Sequence, residues 1–172
     1  MAGEHHADLT RPLLDAVALF ETLDISYALV GGLAAMYYGR QRFTEDVDFI
    51  AAAQYEDVLA GQAAAMRRHH FDPSCTWKLY HESGAQIDIW KDRYSGDMIG
   101  RATTVVLAGQ PIRVVEMHDL IAMKLRADRP QDDYDISQII QHQSIDDNVV
   151  RSRVDDPQFQ HYLAIKQRTE RA

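Results

Sequence analysis

The sequence predicts an α+β protein: a small mixed β-sheet flanked by helices, followed by a helical C-terminal part. Three observations carry this. Helical and strand periodicities alternate up to about residue 115, the pair Gly31-Gly32 joins a strand directly to a helix, and from Met117 onward the apolar spacing is helical throughout. With 172 residues, 46% hydrophobic and 26% charged, the chain is long enough for one domain with a core, and it is neither disordered nor fibrous. No fixed-period repeat, low-complexity tract or proline-rich linker divides it. The expected organisation is one unit, with an α/β core over residues 1–115 and a helical part over residues 116–172 packed on it.

The elements follow in order. After Thr10 as a helix N-cap, Leu13, Ala16, Val17, Phe20 and Leu23 form a helical apolar stripe, and Ser26 to Val30 reads as a short buried strand. Leu33 to Tyr38 is a short helix springing from the glycines. Asp46 to Ile50 alternates polar and apolar residues, as a strand with one buried face does. A second amphipathic helix is expected on the stripe Tyr55, Val58, Leu59, Gln62, Ala63 and Met66, ending before Asp72-Pro73. Thr76 to His81 and Ala85 to Trp90 flank the turn Glu82-Ser83-Gly84 and predict an antiparallel hairpin. Thr103 to Leu107 and Ile112 to Val115 form a second candidate pair. One helix then runs from Met117 to near Pro130 and another from about Asp132 to Gln141; the last thirty residues are polar and helix-compatible.

Composition narrows the function. Eighteen Lys plus Arg against 26 Asp plus Glu give a net charge of −8, which disfavours a generic binder of nucleic acid or anionic membrane. Cys75 is the sole cysteine, so neither an intrachain disulfide nor a cysteine-based zinc site is available, in keeping with a reducing compartment. Residues 1–11 hold no apolar secretion signal, and the uncharged run through Tyr27 to Gly39 falls short of the roughly 18 residues a membrane span needs. A soluble, cytoplasmic protein with no membrane partner is expected.

Two motifs point to chemistry. Gly31 and Gly32, lacking a Cβ between strand and helix, allow a tight turn and bring backbone N–H groups close to a ligand; such a junction can cradle phosphate, or serve only as a turn. In Asp46-Val47-Asp48-Phe49, strand geometry sends both carboxylates to one face and both apolar side chains to the other. The plain alternative is a solvated strand face. Asp88, however, lies between Ile87 and Ile89 in a later strand, where a carboxylate is costly unless it meets solvent or a cation. Three carboxylates on neighbouring strands make a hard-oxygen site suited to Mg²⁺ or Mn²⁺.

Gly31-Gly32, thirteen residues from Leu33 to Glu45, the Asp46–Phe49 motif and a third carboxylate at Asp88 together resemble the nucleotidyltransferase superfamily related to DNA polymerase β. The fuller string Gly31-Gly32-Leu33-Ala34-Ala35, Gly39, Arg42, Thr44, Asp46 and Asp48 looks most like the branch of the AbiEii-type toxins, and is similar to lincosamide and aminoglycoside nucleotidyltransferases. Met123 to Arg129 followed by Asp132 and Asp135 resembles a second motif of that branch. The similarity spans about Ile25 to Ile140. It implies a catalytic, metal-holding trio of Asp46, Asp48 and Asp88. It also implies nucleotide contacts at Gly31, Gly32, Arg42, Thr44, Lys124, Asp132 and Asp135, with Mg²⁺ or Mn²⁺ as cofactor and a nucleoside triphosphate such as ATP as substrate.

Lys124 stands out without the family, because Met117, Leu120, Ile121 and Lys124 fall on one helical stripe. Either its stem packs while the ammonium snorkels to water, or it contacts triphosphate. Asp132 and Asp135 share a helix face; they hold Lys124 or the nucleotide, or are a solvated face near Arg129. Trp90 shares a strand face with Asp88 and either stacks on a base or packs. The eight histidines, His5 and His6 among them, show no metal-binding spacing, and no Ser-His-Asp arrangement is discernible. The acceptor is a hydroxyl on tRNA, a small molecule or a protein. Residues 111–136 hold four basic against six acidic residues and residues 151–172 five against three, so no basic stripe marks a large RNA. A toxin–antitoxin component, a homodimer or a partner protein at the tail fits the resemblance. The rival readings are a non-catalytic nucleotide-binding module and an interaction protein of the same fold.

Overall fold

Leu13, Ala16, Val17 and Phe20 recur at helical spacing, and in the computed structural model, which describes residues 8–41 and 43–171, they bury one side of helix α1 (Thr10–Thr22). Arg42, expected as a phosphate contact, lies outside the described residues, as do His5 and His6. Thr10 is not the cap: Leu9 occupies that position, and the Asp8 carboxylate accepts the Thr10 N–H at 3.0 Å. Strand β1 (Tyr27–Val30) is buried at all four residues and passes straight into α2 (Gly31–Tyr37), two residues earlier than the side-chain pattern alone marks.

Strand β2 (Val47–Ala51) pairs antiparallel with β1 and parallel with β4 (Gln86–Trp90), while β3 (Lys78–Tyr80) closes one edge antiparallel to β4. On the other side, β6 (Gln110–Val114) lies parallel to β1 and carries β5 (Thr103–Leu107) as the far edge. The resulting six-stranded mixed sheet has the order β3-β4-β2-β1-β6-β5. Both expected hairpins form.

Register assigns the faces. Leu29 pairs with Phe49 and Tyr27 with Ala51, so these share a face, and there the Phe20 and Tyr27 rings meet Phe49 edge-on at 5.2 and 5.6 Å. The opposite face carries Val30 beside Asp48, Asp48 beside Asp88, and Asp88 beside Lys78. Helices α2 and α5 (Ser95–Arg101) pack against β1 and β2.

Three elements differ from the sequence reading. The expected helix over the Tyr55–Met66 stripe is two helices, α3 (Tyr55–Ala60) and α4 (Ala63–Arg68), because Gly61 ends the first and Gln62 N–H turns back to Leu59 O at 2.9 Å. Helix α5 is absent from the sequence reading; two of its seven residues are glycine, which blurs the helical signal. Pro130 does not follow a helix end as a stop but opens α7 (Pro130–His142) at its first turn, after α6 (Met117–Ala127) has closed on Asp128 in the left-handed region. The tail forms α8 (Asp147–Arg153) and α9 (Asp156–Arg171), packed on α6 and α7. No helix among the described residues is long and apolar enough to cross a membrane.

Phe49 is fully buried between Phe20 and Tyr27, so Phe49→Ala is expected to destabilise the fold by about 3–5 kcal/mol in urea unfolding. Val106→Ala, at a side chain 72% exposed, is expected to stay within about 0.5 kcal/mol.

Candidate active site

The site begins at a close approach. Gly31 sits at φ +66°, and a Cβ placed on it would lie 2.1 Å from Asp48 Oδ2; one placed on Gly32 would lie 2.5 Å from Thr44 Oγ1 and 2.7 Å from an Arg40 guanidinium nitrogen. Both glycines are therefore required by contact, Gly31 by conformation as well. Thr44 Oγ1 in turn accepts the Asp46 N–H at 3.3 Å, fixing the approach to β2. Asp46 itself is exposed and precedes the strand by one residue.

Asp48 is half-buried, and Trp90 Nε1–H donates to its Oδ1 at 2.9 Å. Burial pushes its carboxyl above the ordinary value of 3.8, and the charges of Asp46 and Asp88 push the same way, against hydrogen bonds from Trp90 and the Gly32 N–H. Trp90 thus neither merely packs nor stands free; half of its surface is exposed while its N–H anchors it to Asp48.

The strand register brings Asp88 directly beside Asp48. Its nearest cation is not solvent-borne: Lys78 Nζ lies 2.7 Å from Asp88 Oδ1, and this contact holds the ammonium above its ordinary pKa. Among the described residues no group of three or more His, Cys, Asp or Glu side chains is drawn close enough to hold a metal ion. Register thus sets Asp48 beside Asp88, Lys78 pairs with Asp88, and Asp46 stands exposed one residue before β2. The remaining pair, Asp46 and Asp48, fits a hard divalent cation, since Asp48 carries like-charge repulsion that a cation would relieve, and Mg²⁺ needs only one or two protein carboxylates beside phosphates and water.

Lys124 neither snorkels nor reaches outward. Its Nζ donates to Asp135 at 2.6 Å and Asp132 at 3.2 Å, and Arg40 Nε meets the other Asp135 oxygen at 2.9 Å. These four side chains are 5% (Lys124), 5% (Arg40), 1% (Asp132) and 2% (Asp135) exposed, a charge-balanced network beneath the glycine turn. Of the two roles open to Asp132 and Asp135, holding Lys124 is the one the geometry displays. Arg129 adds a half-exposed fifth member: its guanidinium bonds Asp132 at 2.9 Å, and its pKa is raised by Asp132 first and by the Asp48 charge as well. One positive charge beyond balance is thereby presented within the field of Asp48. Arg40, Lys78 and Arg129 were not singled out from sequence; Arg129 stands in the quoted second motif, and Lys78 is betrayed only by the strand register.

A second cluster contradicts the sequence reading that found no Ser-His-Asp set. His81 is buried, with Ser83 Oγ 2.7 Å from Nδ1 and Asp15 Oδ2 2.9 Å from Nε2. The N–H groups of Ser83, Gly84 and Ala85 are all donated within the turn, leaving none there to receive an oxyanion. The cluster ties the β3–β4 hairpin to α1.

No family model matches the chain, and no curated relative matches it by sequence. Solved structures share its fold. An antigenic nucleotidyltransferase-like protein from Paracoccidioides brasiliensis is similar at a TM-score of 0.62 and 19% identity, over 92% of this chain and 87% of its own. The lincomycin-bound lincosamide antibiotic adenylyltransferase LnuA is similar at 0.54 and 17% identity, over 76% of this chain and 96% of its own. The chain has the nucleotidyltransferase fold, as the resemblance implied.

Two outcomes follow from the charges. A carboxyl whose folded pKa is raised contributes stability below its unfolded pKa and loses it as pH rises, so ionised Asp48 burdens the fold at neutral pH. Asp48→Asn is expected to melt higher than the parent at pH 7, and the difference to shrink as pH falls toward 3.8. Lys124→Met leaves two buried carboxylates short of a cation and is expected to cost about 3–5 kcal/mol in urea unfolding.

Proposed function

We propose that the protein is a metal-dependent nucleotidyltransferase that moves a nucleoside monophosphate from a triphosphate to an acceptor hydroxyl. The observation that carries this is the in-register pair Asp48 and Asp88 packed against the Cβ-free turn Gly31-Gly32, with Asp46 exposed beside them. The shared fold with a nucleotidyltransferase-like protein and an adenylyltransferase supports it.

Mg²⁺ or Mn²⁺ would be held by Asp46 and Asp48 and would neutralise developing charge on the triphosphate oxygens. The rest falls to the chain's own groups. The glycines leave room for a phosphate against the backbone, and Thr44 fixes the loop that presents Asp46. Arg129, half-exposed and within the field of Asp48, receives the outer phosphates, while Lys124, Asp132 and Asp135 position it through their buried network. Asp88 takes the proton of the acceptor hydroxyl, and Lys78, 2.7 Å from its Oδ1, orients that carboxylate. The acceptor oxygen forms a bond to the α-phosphorus as the bond to the β-phosphate bridge breaks, releasing pyrophosphate.

A second reading has a specific observation in its favour. Lys78 already neutralises Asp88, the arrangement of a module that binds nucleotide without turning it over. It predicts Mg²⁺-dependent nucleotide binding with no pyrophosphate release. On the catalytic reading the acceptor belongs to tRNA, a small molecule or a protein, and a toxin–antitoxin role in the cytoplasm, with a second copy or partner protein, extends that reading.

Incubation with each labelled triphosphate, Mg²⁺ and a cell extract is expected to label one fraction, RNA, small molecule or protein, with release of pyrophosphate. Asp46→Asn and Asp48→Asn are each expected to lower the transfer about a thousandfold or more while the fold persists. Full transfer in either variant contradicts the assignment.

A further inference from the structure

A cavity of about 640 Å³ lies between α5, α6 and the α8–α9 junction, and none of its lining residues belongs to the carboxylate site. That volume suits a small organic ligand. Its charge runs against the rest of the chain: Arg93, Arg101, Arg126 and Arg153 line it in a protein of net charge −8.

The acids in its wall are largely engaged. Asp119, almost fully buried, receives Arg101 at 2.8 and 3.0 Å and Arg153 at 3.1 Å, and Arg153 bonds Glu116 as well. Asp155 accepts the Gln158 N–H at 2.9 Å, at the start of α9. Asp97 is the lining acid left over. The remaining arginines are under-used. Arg126 reaches Asp92 only at 3.4 Å, and its buried Nε has no hydrogen-bond partner among the described residues. Arg93 makes no ion pair with any described residue. Both guanidinium groups lie within 5 Å of the Tyr94 ring centre, at 4.8 and 4.9 Å, so one ring ties both to the same wall of the cavity. Among the described residues one of these groups has no ion pair and the other only a long one, so both keep N–H donors to offer an anion.

We infer that this cavity binds a small organic phosphomonoester, held by Arg93 and Arg126. As the acceptor of the transfer it rests on the function proposed above; as an anion site it stands without it. Position supports the acceptor role. Asp92, the partner of Arg126, lies two residues beyond Trp90, whose indole holds Asp48, and Arg126 lies three residues before Arg129, which feels the Asp48 charge. The end of α6 and the exit of β4 thus serve both places, and the arginine-rich lining selects against a polycationic acceptor.

The test uses the full chain without metal or nucleotide. Glycerol 3-phosphate, with glycerol as the control, is titrated while the arginine Nε–H signals are followed by NMR. Saturable shifts are expected at Arg93 and Arg126 with the phosphate compound alone. Arg93→Glu, at an exposed position, is expected to keep the native spectrum, weaken that binding at least tenfold and leave Mg²⁺-dependent triphosphate binding within twofold. Equal response to glycerol, unchanged affinity in Arg93→Glu, or shifts confined to Arg129 overturn the inference. Transfer of label onto any acceptor while glycerol 3-phosphate fails to bind defeats this inference alone; binding at Arg93 and Arg126 without transfer in any extract defeats the catalytic reading and leaves the anion site standing.

Discussion

Everything at the candidate site depends on how near one carboxylate comes to one backbone. Asp48 lies where a Gly31 side chain would begin, so the β1–α2 turn must stay free of Cβ atoms, and Gly31 must hold a positive φ that only glycine adopts without strain. The same turn presses Gly32 against Thr44 and Arg40. Because β2 runs parallel to β4 in matching register, placing Asp48 against the turn also places Asp88 beside it. A single backbone constraint therefore sets the positions of a glycine pair, a threonine and two acids.

The charges are arranged in two layers. Beneath the turn, Arg40 and Lys124 oppose Asp132 and Asp135 out of contact with water, where a missing partner would leave an uncompensated ion. Above it, the charge of Asp46 pushes the Asp48 carboxyl up and neither is in an ion pair among the described residues, while Lys78 pairs with Asp88 and Arg129 feels the Asp48 charge. The lower layer is a rigid base; the upper keeps an electrostatic demand unmet. A site that is neutral below and negative above is suited to take a cation together with a polyphosphate.

How much of this was legible in the sequence varies with the range of the interaction. Strand parity was enough to put Asp46 and Asp48 on one face and to pick Asp88 from an apolar strand, since period two is local. Lys124 stood out on its apolar stripe for the same reason, and Asp132 and Asp135 were legible as carboxylates that could hold it, but not the burial of its ammonium group. The partners of Arg40 and Lys78 were not legible, because the first is chosen by helix docking across the chain and the second by strand register, whereas Arg129 pairs with Asp132 only three residues on, a face the sequence did mark. The break at Gly61 and the glycine-bearing α5 were missed where tertiary packing overrides weak local preference. The set Asp15, His81 and Ser83 was invisible because sixty-six residues separate Asp15 from His81.

The most direct measurement is crystallography of the protein with Mn²⁺ and a non-hydrolysable triphosphate, using the anomalous signal of the metal to place it. The carboxylates of Asp46 and Asp48 are expected to flank that signal, with the phosphates lying along Gly31-Gly32 toward Arg129. An anomalous peak elsewhere, or a triphosphate bound away from the glycine turn, contradicts the proposed chemistry.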